Sequence, residues 1–208
     1  MNRLNPKLIV LILLLIALAV SVYIFNRDKR EETIMTDSGL TLNAKLAGVW
    51  SSSYPELNSS GLFAIRNFSF TGDNWSIDYT LYADAAASNP LFTFTGAGAY
   101  EIQSPSSVFE NTHNALFKFN RKNLTLKNDA ETTINGFGFA DCGLTKDVPK
   151  DISETGCSFF PSVTDYGQEY DLIKVEDNKL WLGARPADEN LSTEAKRPAA
   201  LGPELTKR

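Results

Sequence analysis

Four strand-like runs within residues 46–102 constrain the fold of this 208-residue chain more than any other feature. The runs read LAGVWSSS, GLFAIRNFSFT, NWSIDYTLYAD and PLFTFTGAGAYEI, and turn-forming residues separate them. In the third run Trp75, Ile77 and Tyr79 alternate with polar residues, as a pleated sheet with one buried face requires. The sequence therefore predicts antiparallel strands in this region.

Two irregularities within these runs predict that the sheet is curved. In the second run, the apolar positions change parity around Arg66 and Asn67, which a β-bulge would explain. In the fourth run, Gly96 and Gly98 indicate either a sharp bend or close packing beneath an aromatic ring.

Shorter apolar runs continue the pattern after residue 102. They lie at residues 115–119, 124–126, 132–140, 169–176 and 179–185, and residues 121–123 are predicted to form a turn. A meander of about eight to ten short strands most often closes and thereby removes exposed edges. We therefore expect an all-β fold, an antiparallel meander that forms a lipocalin-like barrel or half-barrel over residues 46–186.

The amino-terminal segment has the composition of a membrane anchor. Residues 8–25 form an apolar run in which Ser21 is the only polar side chain, close to the roughly 20 residues that cross a bilayer as a helix. Ala17-Leu18-Ala19 resembles a small-residue cleavage signal, but the apolar run continues six residues past Ala19, which favours an uncleaved signal anchor over a cleaved signal peptide. We predict a transmembrane helix within residues 1–25 and a linker over residues 26–45.

The remainder of the chain is acidic. Residues 31–208 hold 15 basic and 24 acidic side chains. The resulting net negative charge repels phosphate backbones and anionic lipid headgroups. Nucleic acid is therefore not an expected partner. Residues 187–208 are rich in Ala, Pro and charged residues, which predicts a disordered tail.

Cys142 and Cys157 are the only cysteines and His113 is the only histidine. In an exported domain the two thiols would most simply form a disulfide, whose loop closure would contribute roughly 3 kcal/mol. A metal pair is the alternative, but the chain lacks a CxxC motif. We expect no metal and no cofactor. The cysteine pair and the soluble composition predict a single-pass membrane protein with its domain in the periplasm or at the cell surface.

Two residues at opposite ends of the predicted domain resemble a lipocalin pattern. Gly48-Val49-Trp50 opens the first strand and Arg185 ends the last. The resemblance implies that Trp50 seals one end of the barrel while Arg185 stacks over its ring, a cation–π contact. Alternatively, Trp50 is an ordinary core residue and Arg185 a solvated strand end.

A second resemblance covers residues 46–126. The segments GVWSSSYPE, GLFAIRNFSF, LYAD and NPLFTFTGAGAY follow one another in the order found in the adenomatosis polyposis coli down-regulated family of Wnt antagonists. The residues that carry it are Trp50, Ser52, Arg66, Phe68, Phe70, Tyr82, Asp84, Pro90, Phe92, Gly98 and Tyr100. This chain departs from the family in two ways: serines 51–53 and alanines 85–87 stand where family members carry cysteines, and it has one domain rather than the tandem pair of the animal proteins. It resembles a bacterial-type, single-domain version.

The family resemblance implies an extracytoplasmic barrel-like domain that holds a lipid or acyl chain in an apolar cleft. The candidate ligand-binding residues are Trp50, Arg66, Tyr79, Tyr82, Phe92 and Phe94. Arg66 could hold a ligand carboxylate or phosphate, or it could pair with Asp78 or Asp84. The aromatic residues could equally be plain core.

Catalytic motifs are scarce. The chain has no HExxH and no GxSxG motif, and Asp78 and Asp84 could form an acid/base pair, although exposed strand carboxylates are commoner. We do not expect an enzyme. The sequence predicts a membrane-anchored extracytoplasmic protein that binds an apolar small molecule or lipid. The alternative is a non-enzymatic structural or protein-interaction module of the cell envelope with a filled barrel.

Overall fold

The computed structural model describes residues 42–186, 188 and 190–208. The predicted membrane anchor and residues 26–41 of the predicted linker lie outside these residues. Residues 42–46 are helical rather than part of a linker, because Leu42 and Leu46 are buried in the core. Within the described ranges, no helix has both the length and the apolar character to cross a membrane.

Antiparallel strands dominate the described structure, which confirms the all-β prediction. The strands are β1 (Gly48–Ser52), β2 (Glu56–Leu57), β3 (Phe63–Thr71), β4 (Asn74–Tyr82), β5 (Pro90–Pro105), β6 (His113–Leu126), β7 (Lys150–Asp151), β8 (Gln168–Glu176), β9 (Lys179–Leu182) and β10 (Leu205–Lys207). Besides the helical residues 42–46, the other named elements are a short α-helix (Glu131–Gly136) and two 3₁₀ turns (Ala140–Cys142 and Glu194–Lys196).

Eight of these strands form a closed barrel. Hydrogen bonding runs in the order β1-β3-β4-β5-β6-β8-β9-β10 and returns to β1. β2 pairs with β3 beyond the end of the β1 pairing, and β7 pairs with β6 beyond the β8 pairing. The predicted barrel is thus confirmed, and β3 to β6 extend past it at one end.

The barrel is closed by a segment that the composition predicted to be disordered. β10 lies between β1 and β9, with Trp50 opposite Lys207 and Leu205 opposite Leu180. The prediction for residues 187–208 is therefore wrong for this strand. Its few apolar side chains suffice because they enter an existing core: Leu191 and Leu205 are both fully buried.

The predicted bulge at Arg66 and Asn67 is absent. The register between β3 and β4 is uninterrupted from Phe63, opposite Tyr82, to Thr71, opposite Asn74. The inner face of β3 consists of its even-numbered residues throughout. The change in parity arose because the outward-facing Phe63 and Ile65 are also half-buried and apolar.

The curvature lies instead at the two glycines of β5. The register between β5 and β6 shifts between Ala97 and Gly98, and a Cβ atom on Gly98 would lie 1.8 Å from the Lys118 carbonyl oxygen. A Cβ atom on Gly96 would lie 2.6 Å from the Phe119 ring. Both glycines are required by close approach: Gly96 packs beneath an aromatic ring, one of the two alternatives that the sequence left open, and Gly98 packs against the backbone of β6.

Residues 127–167 form an insertion between β6 and β8. The predicted turn at residues 121–123 is wrong, because β6 continues through them to Leu126. The predicted strand at 132–140 is also wrong: the helix Glu131–Gly136 and a 3₁₀ turn occupy these positions. The segment leaves the sheet here and packs as an irregular layer beside the barrel, so its residues are not held to strand geometry.

Two apolar cores fill the domain. The barrel core consists of Leu42, Leu46, Trp50, Phe68, Phe70, Trp75, Tyr100, Ala115, Phe117, Phe119, Ile173, Val175, Leu180, Leu182 and Leu205. The insertion core lies between the extended strands and the insertion, and consists of Ala64, Leu81, Leu91, Phe92, Leu124, Leu126, Phe139, Ile152 and Cys157.

Candidate functional site

Aromatic side chains occupy the interior of the barrel. Trp75 contacts Phe117 and Phe119 with ring centres 4.8 and 5.1 Å apart, and Phe70 meets Tyr100 at 5.2 Å. These rings come from four strands that are neighbours in the sheet, β3 to β6, so they pack side by side on the inner face of this part of the barrel wall. Leu42 and Leu46, from the helical residues 42–46, belong to the same core.

The predicted ligand-binding aromatics are divided between the two cores. Trp50 is fully buried in the barrel core, and Phe92 is fully buried in the insertion core. Phe94 packs against both and stacks on Phe160 with ring centres 4.8 Å apart. Tyr79 is partly buried against the insertion core, and Tyr82 is half-buried at the end of β4.

Arg66 forms a structural ion pair, although with a partner that the sequence did not indicate. Its guanidinium lies 2.9 Å from a Glu56 carboxylate oxygen and also donates to the Pro203 carbonyl at 3.1 Å. The Ser52 hydroxyl donates to the same Glu56 oxygen at 2.7 Å. Both charged side chains are about 85% buried (15% and 13% exposed). The predicted pairing of Arg66 with Asp78 or Asp84 is wrong.

Trp50 carries a cation over its ring, but the cation comes from β10. The Lys207 ammonium lies 5.0 Å from the ring centre, while the Trp50 indole N–H donates to the Leu46 carbonyl at 2.7 Å. The Arg185 guanidinium lies 2.6 Å from a Glu169 carboxylate oxygen. The cation–π contact inferred from the lipocalin resemblance therefore involves Lys207 rather than Arg185.

The two carboxylates considered for acid/base chemistry are engaged separately. Asp78 accepts a hydrogen bond from Thr95 at 2.8 Å. Asp84 accepts backbone N–H bonds from Ser88 and Asn89 in the turn after β4. Burial raises the pKa of Asp84, but these hydrogen bonds outweigh it and leave the pKa below its ordinary value. Asp84 thus stabilises its turn as an ionised carboxylate.

Lys122 is a buried cation that sequence reasoning missed. It is 2% exposed, and its ammonium donates to the carbonyl oxygens of Pro161, Ser162 and Tyr166 at 2.9, 3.3 and 2.6 Å. Burial lowers its pKa to about 8, although the negative charge of Glu169 opposes this shift. Lys122 therefore holds the end of the insertion against β6. Its even-numbered position, shared with Leu124 and Leu126, was the available signal.

A buried carboxyl group lies on the inner face of β8. Asp171 accepts backbone N–H bonds from Leu172 and Gly183 at 2.7 and 2.8 Å. Burial raises its pKa to about 7, and the nearby charge of Glu169 acts in the same direction. A Cβ atom on Gly183 would lie 2.4 Å from Asp171, so the carboxyl group fills the space beside this glycine.

Arg197 ties the segment before β10 to the barrel wall. Its guanidinium donates to the carbonyl oxygens of Ala115 and Asp171 and to the Gln103 side chain, and it lies 5.4 Å from the Tyr170 ring centre. Burial lowers its pKa from the ordinary value. These contacts stabilise the fold by fixing the segment before β10 against β6 and β8.

Metal ligands do not cluster in the part of the chain that the structure describes. No group of three or more His, Cys, Asp or Glu side chains there could hold a metal ion. The His113 imidazole has a buried Nδ1 without a hydrogen-bond partner, and burial lowers its pKa. It is a packed strand residue.

A disulfide between Cys142 and Cys157 cross-links the insertion, and the Cα atoms of the two residues are 5.6 Å apart. The predicted disulfide is confirmed. Around it lie the rings of Phe137, Phe139, Phe159 and Phe160, all within 6.3 Å of Phe92 between ring centres. Most of these rings are enclosed, but Phe159 is 55% exposed. It is the most exposed phenylalanine in the described chain.

A depression of about 430 Å³ lies at the bulge between β5 and β6. It is lined by Asn74, Trp75, Ala97, Gly98, Asn120 and Arg121. This lining is largely polar or small, whereas an acyl chain requires mainly apolar and aromatic walls.

Comparison with known proteins adds no assignment. No protein-family model matches the chain, and no curated protein matches it significantly.

Proposed function

We propose that this chain is a non-enzymatic protein-interaction module whose filled barrel serves as a rigid scaffold in the cell envelope. The observation that carries the proposal is the packed interior. Trp50, Phe70 and Phe117, from three different strands, are each at most 2% exposed. A barrel that holds a ligand needs a cleft of roughly 300–1,000 Å³ lined by apolar groups, and here aromatic rings occupy that place.

The distribution of polar groups supports the same proposal. Three buried charged or ionisable side chains are held by protein partners: Lys122 by three carbonyls, Arg66 by Glu56, and Asp171 by two backbone N–H groups. Groups that are satisfied internally stabilise a single structure and do not need a substrate to complete their hydrogen bonding.

The cellular location is part of the proposal. A disulfide between the only two cysteines favours an oxidising compartment, and the apolar residues 8–25 supply a membrane anchor for an exported domain. A fusion of alkaline phosphatase to the carboxyl terminus tests this arrangement. We expect enzyme activity in intact cells, and an inactive cytoplasmic fusion would contradict it.

Native mass spectrometry of the full chain tests the filled barrel. We expect the bare polypeptide mass and no uptake of a fluorescent fatty acid, with a fatty-acid-binding protein as the positive control. A stoichiometric lipid that co-purifies and survives detergent exchange would contradict the proposal and restore ligand binding as the function.

A further inference from the structure

We infer that the disulfide-braced turn carrying Phe159 is the anchor through which the barrel docks a basic protein partner. This inference rests on the proposed function as an interaction module and names its surface. The turn lies in the insertion, at residues 157–160, and the partner is a protein segment with an apolar pocket surrounded by Lys or Arg.

The turn holds Phe159 rigidly from two sides. Cys157 and Phe160 exchange backbone hydrogen bonds of 2.8 and 2.9 Å, so the two residues between them form a tight loop. Ser158 adopts a positive φ of 52°, and its hydroxyl donates to the Phe137 carbonyl at 2.7 Å. The disulfide fixes Cys157 from the other side. A side chain presented in this way loses little freedom on binding.

Phe159 is supported on one face and open on the other. Its ring centre lies 4.5 Å from that of Phe160 and 5.9 Å from that of Phe139, yet the residue is 55% exposed. Aromatic anchors at the centre of an interface share this arrangement, in which the ring is pre-placed and buries its free face in the partner. Val148, in the same insertion, is 53% exposed.

The acidic charge of the domain is concentrated in the same insertion. Residues 42–208 contain 15 basic and 21 acidic side chains, a net charge of −6, and residues 127–167 contribute 3 lysines and 7 acids, a net charge of −4. The lysines are engaged locally: Lys127 with Asp147, Lys146 with Asp129, and Lys150 with the Cys142 carbonyl.

This charge selects among possible partners. Asp141 is exposed and directly precedes Cys142 of the disulfide in the chain. An insertion with a net negative charge attracts a basic protein surface and repels nucleic acid, anionic lipid and a second copy of itself. Phe159 then supplies the apolar contact and the charge of the insertion steers the approach.

Site-specific photo-crosslinking in the full chain tests the inference. Benzoylphenylalanine replaces Phe159 in one variant and Phe109 in the matched control, because Phe109 is also an exposed phenylalanine (39%) but lies in the β5–β6 connection. We expect a protein adduct only from position 159, with the crosslinked peptide net positive. Asp141 and Glu154 are both exposed acids of the insertion, and the double substitution Asp141→Lys with Glu154→Lys is expected to lower the adduct yield about tenfold.

The outcomes separate this inference from the proposed function. A protein adduct from position 109 but none from 159 overturns the docking turn and leaves the interaction module in place. Adducts only with lipid, or no adduct from either position, overturn both. An adduct with a second copy of the chain, or an unchanged yield in the Lys double variant, overturns the basic partner. The Phe159→Ser variant is expected to keep its melting temperature, which shows that the exposed ring does not hold the fold.

Discussion

The ammonium group of Lys207, in β10, lies 5.0 Å from the ring centre of Trp50, in β1, and the two residues are opposite each other in the strand pairing. Lys207 also donates to the Lys45 carbonyl at 3.0 Å. The contact therefore joins β1, β10 and the end of the helical residues 42–46 where the barrel closes.

Replacing Lys207 by Met is expected to lower the free energy of unfolding by about 1 kcal/mol, the size of a partly desolvated cation–π contact. Lys207→Arg should retain most of this stability. Thermal unfolding measures both variants. Lys146→Met is the control, because Lys146 forms only an exposed ion pair with Asp129, worth roughly 0–1 kcal/mol. A Met variant as stable as the wild type would show that the contact does not stabilise the pairing of β1 with β10.

Leu205→Ala is expected to lower the free energy of unfolding by about 2–5 kcal/mol, because the side chain is fully buried in the closing strand. The matched substitution is Leu57→Ala, since Leu57 is 66% exposed in the short edge strand β2, and it should change stability by less than about 0.5 kcal/mol. Urea unfolding of the two variants compares them directly. Equal effects would mean that β10 is not part of the cooperative unit.

Asp171→Asn is expected to change the pH dependence of stability. Burial raises the folded-state pKa of Asp171 from 3.8 to about 7, so the folded state holds a proton that the unfolded state releases. The resulting stabilisation is fully present below pH 3.8 and is lost as the pH rises to about 7. The Asn variant keeps the acceptor for Leu172 and Gly183 without this loss.

Unfolding at pH 4 and pH 8 measures the effect. We compare the free energy of unfolding of Asp171→Asn with that of the wild type at each pH. From pH 4 to pH 8 this difference should shift in favour of the variant, on the order of a few kcal/mol. Asp78→Asn, at an exposed position of β4, is the control for a general charge effect. A constant difference between Asp171→Asn and the wild type at the two pH values would contradict the buried, proton-binding carboxyl group.

Substituting both Cys142 and Cys157 by Ser is expected to lower the free energy of unfolding by roughly 3 kcal/mol. The reason is that the disulfide joins two residues separated by 15 positions and so closes a loop of that size. The loss should be confined to the insertion, because Cys157 belongs to the insertion core and the barrel core contains no cysteine. Limited proteolysis should then cut within residues 127–167 and leave the barrel strands protected. Simultaneous cleavage of β8 or β9 would show that the two cores unfold together.

The sequence predicted the strands where side-chain alternation is regular. β4 is the clearest case, because its inward residues Trp75, Ile77 and Leu81 alternate with polar ones and its register with β3 is uninterrupted. The glycines at 96 and 98 likewise indicated a bend or close packing. These features depend on residues that are close together in the chain, so they can be recognised in the sequence.

The closing strand and the charged pairs could not be predicted in this way. β10 has three residues and is a strand only because the open edges of β1 and β9 accept it. Glu56 pairs with Arg66 from a two-residue strand, which has no recognisable period. The spacing of Lys122 from Leu124 and Leu126 indicates the inner face of β6, but its three carbonyl partners lie about forty residues further along the chain and no local pattern identifies them.

The position of β10 also dictates when the barrel can close. Trp50 pairs with Lys207, 157 residues later in the chain, so the barrel can close only after β10 has been synthesised. Until then β1 and β9 present unpaired edges, which are sites for pairing with other chains. Contacts of such long sequence separation slow folding. The nascent chain therefore depends on protection of the β1 and β9 edges until β10 has emerged and paired with both.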